Sequence, residues 1–192
     1  MKVCSFLFTV IVLASCNNST TEKPVIENNA PQEKISFFPV TNYLKGQLLD
    51  IKEKGILPKK YTTIKNHTDS ATLNFIQLDG IVAPFFTPEI DTANLIPYYT
   101  ESKFNDQTLD AFTFTYEPKP TIPDTIPLLR WDVYIDRKTS NVKRVYIIKK
   151  KSQNKTLQLT WLTNNWCNMV TIGTDAKGNQ QVEKEEKIVW AY

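Results

Sequence analysis

From Tyr98 onward apolar residues recur at every second position, and a chain patterned that way must bury one side of paired strands. Phe112, Phe114 and Tyr116 alternate with Ala111, Thr113 and Thr115. Trp131, Val133 and Ile135 alternate with Arg130, Asp132 and Tyr134, and Leu157, Leu159 and Trp161 alternate with Gln158 and Thr160. A period of two puts each apolar set on one face of a strand. Polar or Pro/Gly turns bound the runs at residues 137–141, 152–155 and 175–179, and residues 182–190 read as a closing strand. Successive strands joined by short turns predict an antiparallel meander.

The residues before Tyr98 carry a different period. Leu44, Leu48 and Ile51 recur at helical spacing, with Thr41 or Asn42 as a cap and Gly55 as a stop. Gly46 in the middle weakens that helix. A second helix is expected from Asp69-Ser70, with Phe75, Leu78 and Val82 on one stripe and Pro84 beyond its end. Thr87-Pro88-Glu89 resembles a cap, a first-position proline and an acidic first turn, opening a short helix to about Leu95. Helices first and strands after predict an α+β fold over residues 35–192: a single domain with N-terminal helices packed on one face of a curved antiparallel β-meander sheet. Pro118, Pro120, Pro123 and Pro127 stiffen the connection at 117–127, as a rigid connector or a preorganised recognition loop.

The amino terminus has its own logic. Lys2 is followed by an apolar run from Phe6 to Ala14, broken only by Thr9 and ending at the small residue Ser15. That is too short for a membrane span, which needs about 20 residues, and fits the core of a secretory signal. The run closes as Leu13-Ala14-Ser15-Cys16, which resembles the lipobox of bacterial lipoproteins. The resemblance covers residues 1–16 and implies removal of the signal peptide at 1–15. It also implies a diacylglyceryl group on the Cys16 sulfur and, usually, an acyl chain such as palmitate on the new amino terminus. Two or more chains hold a protein stably on a membrane. Residues 16–34 then read as lipidated cysteine and flexible tether, rich in Asn, Thr, Glu and Pro. No acidic residue follows Cys16 directly and no acidic cluster follows it. By resemblance to lipoprotein sorting signals, the expected address is the outer membrane, facing the periplasm. In general look the chain is similar to small Bacteroidota lipoproteins.

Composition narrows the chemistry. The formal charge is +3, and removal of residues 1–15 takes away Lys2 and no acid, leaving +2. A balance so near neutral, in an envelope compartment, excludes nucleic acid as the expected partner. Cys167 would be the one cysteine not lipidated or discarded, so no internal disulfide is expected, and a buried hydrophobic role suits it. His67 is the only histidine and lies in a polar turn, which removes a Ser-His-Asp triad built elsewhere and any multi-histidine zinc site. No Gly-rich phosphate loop exists and no cofactor is expected. Glu183 and Glu185 would share one strand face with Lys187, a solvated row more than an acid/base pair.

Two groups of residues remain as candidate sites. Lys143, Arg144, Lys149, Lys150 and Lys151 flank the apolar core of a strand, either as a contact for an anionic surface or as gatekeepers against edge pairing. Ser70, Thr92 and Thr125 follow aspartates in triplets that resemble the O-glycosylation acceptor of Bacteroidota. Chance supplies roughly 0.6 such triplets, although Asp-Ser and Asp-Thr also make good helix caps.

The expected function is therefore a non-enzymatic, membrane-anchored domain that binds an envelope protein or a small ligand. The alternatives are a carboxylate-based hydrolase and a structural or assembly accessory of the envelope. A deep pocket with converging carboxylates would favour the hydrolase, an apolar groove would favour lipid or peptide binding, and a flat basic face would favour the accessory.

Overall fold

A computed structural model describes residues 37–190. The expected signal peptide, the lipobox-like motif with Cys16 and the expected tether all lie outside the described residues.

Helix α1 (Val40–Glu53) buries Val40, Thr41, Leu44, Leu48 and Ile51 along one stripe. Its entrance differs from expectation, because neither Thr41 nor Asn42 caps it. Instead Thr41 is buried, and its hydroxyl accepts the Ile90 N–H at 2.7 Å while its own N–H reaches Ile90 O at 3.3 Å. The cap residue type is used to tie a distant loop to the first turn. The exit is as expected: Gly55 takes φ +67° and Ile56 N–H returns to Ile51 O at 3.1 Å, a left-handed C-terminal closure.

Two strands stand where the second helix was expected to begin. β1 (Lys59–Ile64) and β2 (His67–Thr72) form a hairpin that turns on Lys65 at φ +54°. Tyr61, Thr62, Thr63 and Ile64 favour extended backbone, and that preference outweighs the capping potential of Asp69-Ser70. The helical stripe of Phe75, Leu78 and Val82 is confined to α2 (Phe75–Val82), which starts on an Asn74–Gln77 capping box. A short 3-10 turn follows at Ala83–Phe85. The peptide before Pro88 is cis, and the next helix, α3, is the single turn Thr92–Leu95.

The rest is sheet: β3 (Tyr99–Asp106), β4 (Ala111–Pro118), β5 (Leu128–Asp136), β6 (Val142–Ser152), β7 (Lys155–Leu162), β8 (Trp166–Thr174) and β9 (Gln180–Val189). All pairings are antiparallel. The nine strands form one sheet in the order β2-β1-β9-β8-β7-β6-β5-β4-β3, so the amino-terminal hairpin joins the meander through β9. This corrects the expected architecture of helices packed on a sheet face. Among the described residues the fold is mainly one nine-stranded antiparallel sheet, and only 18% is helical. The expectation failed because the Lys59–Thr72 stretch, whose last residues read as a turn and a helix start, contributes two more strands.

Alternation sets the buried face. Tyr116, Trp131, Val133, Val145, Ile147, Leu159, Trp161, Cys167, Met169 and Ile188 join one apolar cluster with Phe37, Leu44, Ile51, Leu78, Val82 and Phe85. Trp131 is the hub at one end, stacked on Tyr116 (4.6 Å, 8°) and tilted against Tyr99 (4.6 Å). Such ring pairs contribute about 0.5–1.5 kcal/mol each beyond their buried area. Trp161 is the second hub, between Phe85 (5.2 Å) and Trp190 (4.9 Å).

One irregularity redirects charge. A register shift at Thr171/Ile172 bulges β9, so Glu183 and Glu185 do not share a face as expected. Glu183 pairs with Lys155 at 2.6 Å and lies across Gly173, where a Cβ would overlap its carboxylate. Glu185 accepts from Asn168 at 2.8 Å.

Candidate functional site

At the β3 end the buried face of the sheet runs on past the side chains that cover it and becomes an open groove. Phe37, Phe38, Phe112, Phe114, Tyr116 and Ile135 line it, with Glu101 and Lys103 on the same face of β3, and its volume is about 320 Å³. The alternation of β4 and β5 supplies the apolar wall. Phe112 faces it still 44% exposed, while Phe114 and Ile135 are half-buried. Phe37 sits edge-on to Tyr116 at 4.9 Å and to Trp131 at 6.1 Å, and Phe38 N–H donates to Tyr116 Oη at 3.2 Å. These contacts hold the segment before α1 against the groove floor.

Among the described residues, the charged groups lining the groove are Glu101 and Lys103, and they pair with each other. Lys103 Nζ lies 3.3 Å from Glu101 Oε1 and 5.3 Å from the Phe114 ring centre. Burial, with Glu101 nearby, pushes the Tyr116 phenol up from its ordinary value, so it stays neutral and serves as a hydrogen-bonding wall. The groove therefore offers rings and aliphatic carbon, one hydroxyl and one internally paired charge couple. That lining is mainly apolar and suits an apolar guest.

The residues singled out in the sequence are elsewhere. Ser70 is exposed in the middle of β2, Thr92 opens α3, and Thr125 is exposed in the proline-rich connection between β4 and β5. The basic residues of β6 do not form one patch. Lys143 donates to Leu109 O at 2.9 Å, Arg144 stacks 3.9 Å above the Tyr134 ring, Lys150 is exposed, and Lys151 reaches Thr171 Oγ1 at 3.3 Å.

Lys149 departs most from its expected place. It is 5% exposed, and its ammonium donates to the carbonyls of Pro84 and Thr87 in the loop beyond α2. It thus cannot serve an anionic surface. Burial pushes its pKa down to about 8, while the two carbonyls favour the charged form and oppose that shift.

Cys167 is fully buried on the inner face, and burial pushes its thiol up, away from reactivity. His67 is exposed beside Asp69, at 3.1 Å. The buried carboxylate of Asp132 is held by Arg130 Nε at 3.1 and 3.2 Å, and Glu117 lies 3.5 Å from the same guanidinium, so both are engaged in an ion-pair network. Among the described residues no group of three or more His, Cys, Asp or Glu could hold a metal ion.

Sequence reading missed Phe37, Phe38, Glu101 and Lys103 as groove residues. The available signal was that Phe112 and Phe114 extend the apolar alternation of β4 beyond Tyr116, while the strand that pairs with them carries charges on the same face. Comparison with known proteins finds no matching family model, no matching curated protein and no matching solved structure.

Proposed function

We propose that this chain is a lipoprotein of the bacterial envelope, anchored through Cys16, whose domain is a non-enzymatic binder of an apolar ligand in the groove at the β3 end. The anchor rests on the lipobox-like Leu13-Ala14-Ser15-Cys16 following an apolar run. The binding reading rests on one observation: an open groove of about 320 Å³ walled by Phe37, Phe38, Phe112, Phe114, Tyr116 and Ile135, with its charges paired to each other. That volume falls at the lower end of small-molecule sites, which run from about 300 to 1,000 Å³. An acyl chain, or a ligand with a comparable apolar body, matches those walls.

Titrating the full chain with a fluorescent fatty acid tests this. Phe112 is partly exposed, so Phe112→Asp leaves the core intact and places a charge in the groove; binding should weaken by about tenfold or more. Equal binding by wild type and Phe112→Asp, or none by either, overturns the groove reading. The anchor is tested separately by mass spectrometry of the mature amino terminus from envelope membranes. A diacylglyceryl-modified Cys16 is expected, and an unmodified cysteine or an uncut amino terminus overturns it.

A further inference from the structure

We infer that β3 is a self-association edge, on which two copies of this chain pair antiparallel about a two-fold axis at Ser102, each Glu101 facing the other copy's Lys103. β3 ends the sheet, and among the described residues it is hydrogen-bonded to β4 alone. Which of its backbone groups are free follows from the register. Tyr99 stands opposite Pro118, which has no N–H, and Lys119 N–H closes on Tyr98 O at 2.8 Å. The pair at 99 is therefore of the non-hydrogen-bonded kind. Tyr99, Glu101, Lys103 and Asn105 then turn their N–H and C=O groups away from β4, into the open edge.

An open edge accepts another strand unless something deters it, and a lysine is a common deterrent. Here the deterrent is answered within the same strand. In a self-pairing, the outward-facing residues of one copy meet those of the other. Centring the two-fold on residue 101 would oppose two glutamates, and centring it on 103 would oppose two lysines. Centring it on Ser102 opposes Glu101 to Lys103 twice, and such cross-strand opposite-charge pairs are favourable where like pairs are not. Charge complementarity thus selects a second copy over an arbitrary strand.

The outer face agrees. Phe104, 66% exposed, gains the other copy's Thr100 as its cross-strand neighbour. Because the axis is perpendicular to the sheet, the inner faces of both copies lie on the same side, and the two apolar grooves become neighbours.

Cysteine crosslinking of the full chain in its own membranes tests both pairing and register. Cys167 is buried and does not interfere. Ser102→Cys meets itself across the axis in a non-hydrogen-bonded pair, with Cα atoms about 4.5 Å apart and within disulfide reach. It should give a disulfide-linked dimer on mild oxidation. Thr100→Cys and Phe104→Cys should each fail alone and crosslink to one another when co-expressed. Ser70→Cys, on the opposite edge, should stay monomeric.

Charge exchange provides the second measurement. Glu101→Lys alone and Lys103→Glu alone should each weaken self-association on the order of tenfold, and mixing the two variants should restore it as a heterodimer. The inference is overturned if Ser102→Cys crosslinks no better than Ser70→Cys, if Thr100→Cys self-links as well as Ser102→Cys, or if the mixed charge variants remain monomeric.

Discussion

The two edges of this sheet are finished in opposite ways. β2 has six residues, all exposed, and Ala71 is its only apolar one. Its neighbour β1 is half-buried at best, so the hairpin end of the sheet is held mostly by ladder hydrogen bonds and by Thr and Tyr side chains. β3 is longer, carries the exposed Phe104, and borders a groove whose floor is stapled by Tyr99, Tyr116, Trp131 and Phe37. The end with the more apolar surface in water is thus also the end with the heavier aromatic foundation. An open groove keeps its shape only if its floor is rigid without the guest, and interlocked rings supply that rigidity.

The comparison breaks most visibly at Trp131, which touches three rings and is fully buried. Trp131→Ala is expected to cost about 3–5 kcal/mol in urea unfolding and to abolish fatty-acid binding by unseating Tyr116. A loss under about 2 kcal/mol would mean that the β3 end does not depend on this hub.

Lys149 sharpens the contrast from the middle of the sheet. Lys149→Met leaves the Pro84 and Thr87 carbonyls without their donor and should cost about 1–3 kcal/mol. Because the folded pKa is lowered to about 8 and the unfolded one is about 10.4, the unfolded chain holds more protons between those values. Wild-type stability, measured relative to Lys149→Met, should therefore be flat below pH 8 and rise from about pH 8 toward pH 10. A flat difference across that range would show that the two carbonyls cancel the burial effect.

At the other end, Tyr61→Ala should cost about 1 kcal/mol or less. Amide exchange should also be faster in β1–β2 than in β4–β5, and the reverse order would sink the contrast. Ser70→Ala, on the outermost strand, should change stability by no more than about 0.5 kcal/mol.

How much of this was legible depended on whether burial differed between faces. β7 and β8 bury alternate residues, and in β4 and β5 the apolar residues themselves alternate, so period two was written into their residues. β1 and β2 bury neither side deeply, so no alternation existed to read, and Asp69-Ser70 looked like a cap. The interior place of Lys149 was in fact encoded, since Val145, Ile147 and Lys149 fall on one parity. Reading it as one more cation in a basic run ignored that parity. The β9 bulge, which moves Glu183 away from the face of Glu185, left no residue-level mark, because any residue can occupy such a step. The groove was half legible: its rings were visible, but which side chains come to cover them among the described residues depends on the whole fold.

The seating of Lys149 has a chemical consequence. A primary amine enclosed against two carbonyls has no route to a water-borne acylating reagent while the 84–87 loop stays closed. Its modification, followed by peptide mapping beside the exposed Lys150, is then a clock for the opening of that loop, ticking at the rate at which the fold breathes.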